Sequence, residues 1–179
     1  TNAYARDRFP VVEAMERGVT VAVSTDGAGP DRSFDLLAQP RVAMKLQQVQ
    51  FGDTSLLPAG RLLESVTVDA ARALGLDDEV GSLAAGRRAD VIALDRRSPR
   101  LAPARAPVHR AMHYADGDDV AVVMVDGAVL VRDGAVRVGP DRDAVLADAE
   151  AATTAAAERA GETDALDPDP GWGAIRYDW

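Results

Sequence analysis

The chain has 179 residues, of which 47% are hydrophobic and 27% charged, a balance that is typical of a folded protein. Its length allows one domain, or one domain and a piece of another. The net charge of −9 argues against non-specific binding to nucleic acid or to anionic membranes. The absence of cysteine excludes disulfides and thiolate metal sites, and it favours a cytoplasmic location.

The first predicted elements are a short helix and a buried strand. Pro10 suits the first position of the helix, and Gly18 suits its end. The run VTVAVST at 19–25 follows, and unbroken apolar residues of this kind predict a strand buried on both faces of a parallel sheet. The strand leads into Asp26, at the position where α/β folds place their chemistry. The alternative interpretation is that Asp26-Gly27 only makes a turn.

A buried parallel strand needs neighbours, each reached by a crossover of about a dozen residues or more. The 18 residues before Val19 are too few to supply one. We therefore expect 19–25 to be the last strand of a sheet whose other strands lie upstream of Thr1. On this interpretation the chain is a C-terminal fragment.

Helices are predicted after this strand. Ser33 can cap a turn, and Pro40 restarts or kinks a helix that continues to Gln48. Pro58 begins the next helix. Thr67 is a candidate cap for a further helix, VDAARAL, which Gly75 ends.

From Leu76 the pattern changes to short β segments between turns. Asp126-Gly127 predicts a two-residue hairpin, and an alanine-rich helix follows at 141–159. The tail contains Trp172 and Trp179. The β segments are predicted at 81–83, 90–94, 109–114, 120–125, 128–131 and 135–138.

The run VTVDAARALGLDDEVGSLAAGRRADVIALD at 66–95 resembles the C-terminal signature of the amidohydrolase superfamily. The branch it resembles contains chlorohydrolases and the deaminases of adenosine-like, guanine, cytosine and triazine rings. VVMVDG at 122–127, VAVSTDG at 21–27 and SFDLL at 33–37 resemble other motifs of that branch, in the same order. Gly81, Gly86 and Asp90 belong to the signature, and turn geometry alone explains them.

The resemblance implies a fold and a division into domains. The fold class is α/β: the C-terminal fragment of a (β/α)₈ TIM-type barrel, with part of a small β-sandwich domain and a closing helix. Residues 1–76 would end the barrel, and 77–139 would be the sandwich segment. Residues 140–162 would form the closing helix, and 163–179 a flexible tail.

The resemblance also implies a chemistry for Asp26. In such enzymes the acid after the eighth strand is a metal ligand and proton shuttle, so Asp26 is the candidate catalytic and metal-binding residue. Water activated by a divalent metal, zinc rather than iron, would displace an amine or a chloride from a nitrogen heterocycle. The substrate-binding residues are unknown, although Asn2 and Tyr4 would lie near a loop that touches substrate in relatives.

The family's histidine ligands are not found in this chain. Its two histidines, His109 and His113, follow the predicted barrel, and their spacing puts them on one face of a predicted strand. We interpret them as surface or interface residues rather than ligands, because catalytic zinc uses about three protein ligands. A hydrolytic triad built on Ser24 or Thr25 with Asp26 is a weak hypothesis, because neither histidine is plausibly placed to act as its base.

Two functions therefore stay open. In the first, the chain is part of a hydrolase, inactive by itself, whose partners are a small heterocyclic substrate and either a missing N-terminal barrel portion or a partner chain. In the second, it is a non-catalytic half or remnant that folds or binds only with a partner chain. Self-association into a homo-oligomer is compatible with both.

Overall fold

The computed structural model describes residues 10–27 and 33–168. It divides into two compact units, 1–137 and 138–179. Within the described residues, the first unit contains helices α1 (Val11–Glu16), α2 (Gln39–Phe51), α3 (Ala59–Ser65), α4 (Val68–Ala73) and α5 (Pro107–Tyr114), and strands β1 (Val91–Leu94), β2 (Val120–Val125), β3 (Ala128–Arg132) and β4 (Ala135–Val136). The second contains helix α6 (Arg142–Ala160) and a 3₁₀ turn (Thr163–Leu166).

A hydrophobic core joins the helices of the first unit to the segment that precedes Asp26. Each of the helices α1, α2, α3 and α5 contributes at least one buried apolar side chain. The segment contributes Val21, which is 4% exposed. The buried members of this core are Val11, Val21, Met44, Leu57, Leu62 and Met112.

The helix boundaries follow the proline and glycine signals. Pro40 lies in the first turn of α2, and Pro58 immediately precedes α3. Gly75, with φ +69°, follows α4 as predicted. Thr67 is the N-cap residue of α4 as predicted, but its side chain makes no capping hydrogen bond. Its hydroxyl instead donates to the Leu63 carbonyl, in the last turn of α3, at 2.7 Å.

The four strands form one antiparallel sheet in the order β1-β2-β3-β4. Asp126 (φ 49°) and Gly127 (φ 81°) form the predicted hairpin, with Val125 opposite Ala128. Two positive φ angles in a two-residue loop indicate a type I′ turn, which matches the twist of the strands. The Asp90 carboxylate accepts the Asp126 N–H at 2.7 Å, so it fixes the hairpin turn 36 residues away rather than the expected local turn before β1.

Two predicted β segments are wrong. Residues 109–114 belong to helix α5, which Pro107 begins and which buries Met112 completely. Proline favours a first helical turn, and this signal outweighed the short apolar pattern. Residues 81–83 form no strand, because the backbone bends at Gly81 (φ 90°), which packs closely against α4. A Cβ at this glycine would lie 2.7 Å from the Cβ of Ala71.

The predicted strand at 19–25 is not formed among the described residues, where the segment has no regular hydrogen-bond ladder. A strand is defined by its neighbours, and no described strand pairs with this one. Its side chains nevertheless alternate in exposure: Val21, Val23 and Thr25 pack inward, whereas Ala22, Ser24 and Asp26 are exposed. The prediction of burial on both faces is therefore replaced by burial on one.

The second unit consists of α6 and the turn after it. The Asp141 carboxylate caps α6 by accepting the N–H groups of Asp143 and Ala144 at 3.0 and 3.1 Å. Gly161, with φ 70°, ends the helix. Thr163–Leu166 is a 3₁₀ turn, and Trp172 and Trp179, in the predicted tail, lie outside the described residues. No described helix has the length and apolar character needed to cross a membrane.

Candidate active site

The segment leading to Asp26 is held by the ends of two helices. The Val19 N–H donates to the Ala14 carbonyl at 3.0 Å, next to the end of α1. The Val23 N–H donates to the Ser65 carbonyl at 3.0 Å, at the end of α3. Between these bonds the Val21 side chain is buried in the core. The path of the backbone toward Asp26 is therefore set by packing as well as by hydrogen bonds.

Asp26 lies at the end of the exposed side of this segment. Its backbone has φ 55°, in the left-handed region that most residues avoid. Aspartate tolerates this conformation better than β-branched or bulky residues. An acid with an exposed carboxylate and a positive φ, placed after a packed apolar segment, is the kind of backbone outlier that is found at functional sites.

The described residues can supply only part of a metal site. In residues 10–27 and 33–168 no group of three or more His, Cys, Asp or Glu side chains could hold a metal ion. The Asp26 carboxylate is chemically suited to zinc or another divalent ion, but catalytic zinc has three protein ligands. The donor set therefore fits a contribution of one ligand from Asp26 and does not fit a complete site.

The two histidines lie on helix α5 rather than on a strand. A spacing of four residues puts them on one face of this helix as well. Their ring centroids are 4.3 Å apart. Burial lowers the pKa of His113, and the positive charges of His109 and Arg41 lower it further. No hydrogen bond links either ring to Ser24 or Thr25, so the described structure gives no support to a hydrolytic triad.

A cleft of about 300 Å³ opens beside these histidines, and sequence reasoning missed it. Its walls come from the C-terminal half of α2, the loop before α3 and the exposed face of α5, which are far apart in the sequence. The only signal was the spacing of His109 and His113. The lining residues are Met44, Gln48, Thr54–Ala59, His109 and His113.

Two buried carboxylates have structural roles. Asp69 is held by Arg61 at 3.2 Å and by Arg72 at 2.8 Å. Asp119, only 2% exposed, accepts from the Arg100 Nε at 2.9 Å and from the Asp116 N–H at 3.0 Å. Both carboxylates are satisfied by partners within the unit, so neither is a candidate for catalysis.

Comparison with known proteins identifies the family of this chain. Residues 2–130 match the amidohydrolase family. The chain belongs to the amidohydrolase family. This is a TIM-barrel family, and the relatives below place the chain in its branch of ring deaminases and chlorohydrolases.

Two curated relatives illustrate the branch. The 5-methylthioadenosine/S-adenosylhomocysteine deaminase of Moorella thermoacetica is 40% identical over 128 residues, which cover 72% of this amidohydrolase chain and 30% of the relative. The S-triazine hydrolase of Gordonia rubripertincta is 34% identical over 167 residues, covering 91% of this chain and 35% of the relative. The chain thus spans about a third of the length of the curated relatives it matches.

Solved structures agree. An adenosine deaminase from Xanthomonas campestris with bound zinc superimposes with a TM-score of 0.75 at 25% identity, over 79% of this chain and 32% of that one. The atrazine chlorohydrolase of Arthrobacter aurescens TC1, in complex with zinc, gives a TM-score of 0.72 at 26% identity, over 79% and 31%. Asn2 and Tyr4, the suggested substrate contacts, lie outside the described residues.

Proposed function

We propose that this chain contributes Asp26 to the active site of a metal-dependent hydrolase that replaces an exocyclic amine, or a chloride, on a nitrogen heterocycle with water. The observation that supports this most is the position of Asp26: an exposed carboxylate at the end of a packed segment, in an amidohydrolase chain. The two substrate classes follow the relatives, which are named as deaminases of adenosine derivatives and as a triazine hydrolase.

Asp26 would act as a ligand and as a proton carrier. A divalent metal in the site would supply Lewis acidity that lowers the pKa of water toward about 7. The Asp26 carboxylate would accept the proton that the water loses as its oxygen bonds to the ring carbon. It would return that proton to the amine as the carbon–nitrogen bond breaks, so that ammonia leaves. Zinc is the favoured metal because both structural neighbours contain it.

The remaining ligands would come from a further barrel portion, in the same polypeptide or in a partner chain. Two observations support this. The chain covers about a third of its curated relatives, and the apolar segment at 19–25 is paired with none of the described strands. By itself the chain would be inactive. We propose a cytoplasmic location because the chain has no cysteine to form disulfides.

A second function, as a non-catalytic half that works only with a partner chain, is favoured by one feature. Helix α2 exposes Val42, Leu46 and Val49, which share one face at a spacing of four and three residues. An apolar stripe of this kind is suited to a protein partner. The incomplete metal site within the described residues is compatible with the same interpretation.

The two functions are distinguished by assaying the chain with and without the remaining barrel portion. Ammonia release from adenosine derivatives and chloride release from chlorotriazines would be measured with zinc present. We expect turnover only when both portions are present, and turnover on one substrate class at most. A complete assembly that binds zinc stoichiometrically yet turns over neither class would exclude the hydrolase and leave the non-catalytic function.

A further inference from the structure

We propose that His109 and His113 form a two-imidazole chelate for a late first-row divalent metal ion, with Cu²⁺ bound most tightly. The proposed hydrolase uses neither side chain, so this site goes beyond that function. The two are the only histidines of the chain, and they lie four residues apart on α5 at the mouth of the cleft.

The geometry of the pair suits chelation. Side chains at positions i and i+4 of a helix lie one above the other on the same face. The ring centroids are 4.3 Å apart and the ring planes are inclined by 43°. Two imidazole nitrogens bound at adjacent corners of the square-planar site that Cu²⁺ prefers lie about 2.9 Å apart, given bond lengths of about 2.0–2.1 Å. Small rotations about the side-chain bonds bring rings at this separation to that distance.

The surroundings of His113 favour its neutral form. A metal ligand must be a neutral imidazole, and the pKa of His113 is lowered by burial and by the charges of His109 and Arg41. Arg41 would also repel a cation, and its guanidinium is held in place by donating to the Ala115 carbonyl at 2.5 Å. His109 is exposed, so a hydrated ion reaches the pair without a change in the fold.

Hydrogen bonds hold the opposite wall of the cleft in place. The Gln48 side-chain amide donates to the carbonyls of Thr54 and Leu56, each at 3.0 Å, and so holds the loop in place. The Met44 side chain also lines the cleft, but thioethers are ligands for Cu⁺, so the proposed Cu²⁺ site consists of the two imidazoles. Because the described residues group no third His, Cys, Asp or Glu with the pair, water or a small anion would complete the coordination.

The ion class follows from the ligands. Two neutral imidazoles bind borderline and soft ions rather than Mg²⁺ or Ca²⁺, which require oxygen ligands. Affinity of such a pair rises from Ni²⁺ to Cu²⁺ and falls again at Zn²⁺. We therefore expect Cu²⁺ to bind with 1:1 stoichiometry and to displace either of the other two ions.

The test is a Cu²⁺ titration of the full chain without an affinity tag, followed by calorimetry and by electron paramagnetic resonance. The spectrum should show coupling to two imidazole nitrogens in the wild type and to one in His109→Ala or His113→Ala. Each single variant should bind about a hundredfold more weakly, since losing a tethered ligand removes its high effective concentration. Asp26→Asn should leave Cu²⁺ binding unchanged, which separates this site from the proposed active site.

The matched control is V108H/H109A, which keeps two histidines on α5 but spaces them five residues apart. Val108 is 41% exposed, so the replacement does not disturb the core. This variant should bind Cu²⁺ about as weakly as the single variants. Binding as tight as in the wild type, or a wild-type spectrum without coupling to two imidazole nitrogens, would overturn the proposal.

Discussion

Single residues carry the chemistry that we assign to this chain, and Asp26 is the main one. Its positive φ places it in a conformation that costs ordinary residues about 1–2 kcal/mol. The conformation persists because bonds at Val19 and Val23 and the buried Val21 fix the preceding backbone. Asp26 therefore has two separable properties, a carboxylate for the proposed chemistry and a tolerance of left-handed backbone.

This separation gives a prediction at the residue scale. Asn tolerates the left-handed region as well as Asp does, so Asp26→Asn should change the free energy of unfolding by less than about 0.5 kcal/mol. Asp26→Val should lose about 1–2 kcal/mol, because a β-branched residue is strained at this φ. Urea denaturation of the three proteins measures both changes. Equal stability of the Asn and Val variants would show that the conformation is not imposed by the fold.

Elements show how far the sequence determines this fold. Pro40, Pro58, Gly75 and the Asp126-Gly127 pair located helix ends and a hairpin correctly, because each acts through its own backbone. Residues 109–114 were predicted as a strand and form a helix, since a short apolar run fits either structure and packing of Met112 decides.

The sequence also predicted one part of the candidate site, Asp26, and missed another, the cleft beside His109. Asp26 stood out because an acid after an apolar run is a local pattern, and the comparisons confirm the family that the signature at 66–95 suggested. Its role as a ligand stays a prediction. The cleft beside His109 could not be foreseen, because its walls meet only through the packing of α5 against α2 and the loop before α3. The sandwich arrangement also stays a prediction.

The 3₁₀ turn before β2, Gly117–Asp119, gives a pH-dependent prediction. Burial raises the pKa of Asp119, but hydrogen bonds from Arg100, Ser98 and the Asp116 backbone outweigh it and hold the pKa below its ordinary value of 3.8. A depressed folded-state pKa adds stability above the unfolded value, and this stability is lost as the pH falls through the folded value. Unfolding free energy should therefore decrease as the pH falls below about 4.

Asp119→Asn should cost about 2 kcal/mol at neutral pH, because a buried charge-assisted hydrogen bond is weakened. It should also make the free energy of unfolding less dependent on pH below pH 4. Asp118→Asn, an exposed change in the same turn, is the control and should do neither. Denaturation curves collected between pH 7 and pH 2.5 measure the effect. An unchanged pH dependence in Asp119→Asn would exclude Asp119 as its source.

At the scale of the whole molecule, the exposed apolar side chains of α2 are expected to cause self-association. Val49 is 84% exposed on α2 and shares a face with Leu46, which is 45% exposed. Burial of such side chains stabilises each by about 1.5–3 kcal/mol, which favours association. We expect the full chain to self-associate at micromolar concentration and the double variant Leu46→Glu, Val49→Glu to shift toward the monomer.

Sedimentation velocity over a concentration series measures this shift. Val136→Glu is the control, since Val136 is 71% exposed but lies on β4. It should leave the association unchanged. A wild-type chain that stays monomeric at every concentration would show that the α2 stripe is not a contact surface.

The most direct test of the central claim compares the complete enzyme with its Asp26→Asn variant. The steady-state rate of ammonia or chloride release would be measured at saturating zinc, with the exposed Asp118→Asn variant as the control for an acid outside the site. The account predicts a loss of kcat of about 10²–10⁴ in Asp26→Asn, the usual contribution of a positioned proton carrier, with the fold intact. A variant that retains wild-type kcat would contradict the assignment of Asp26.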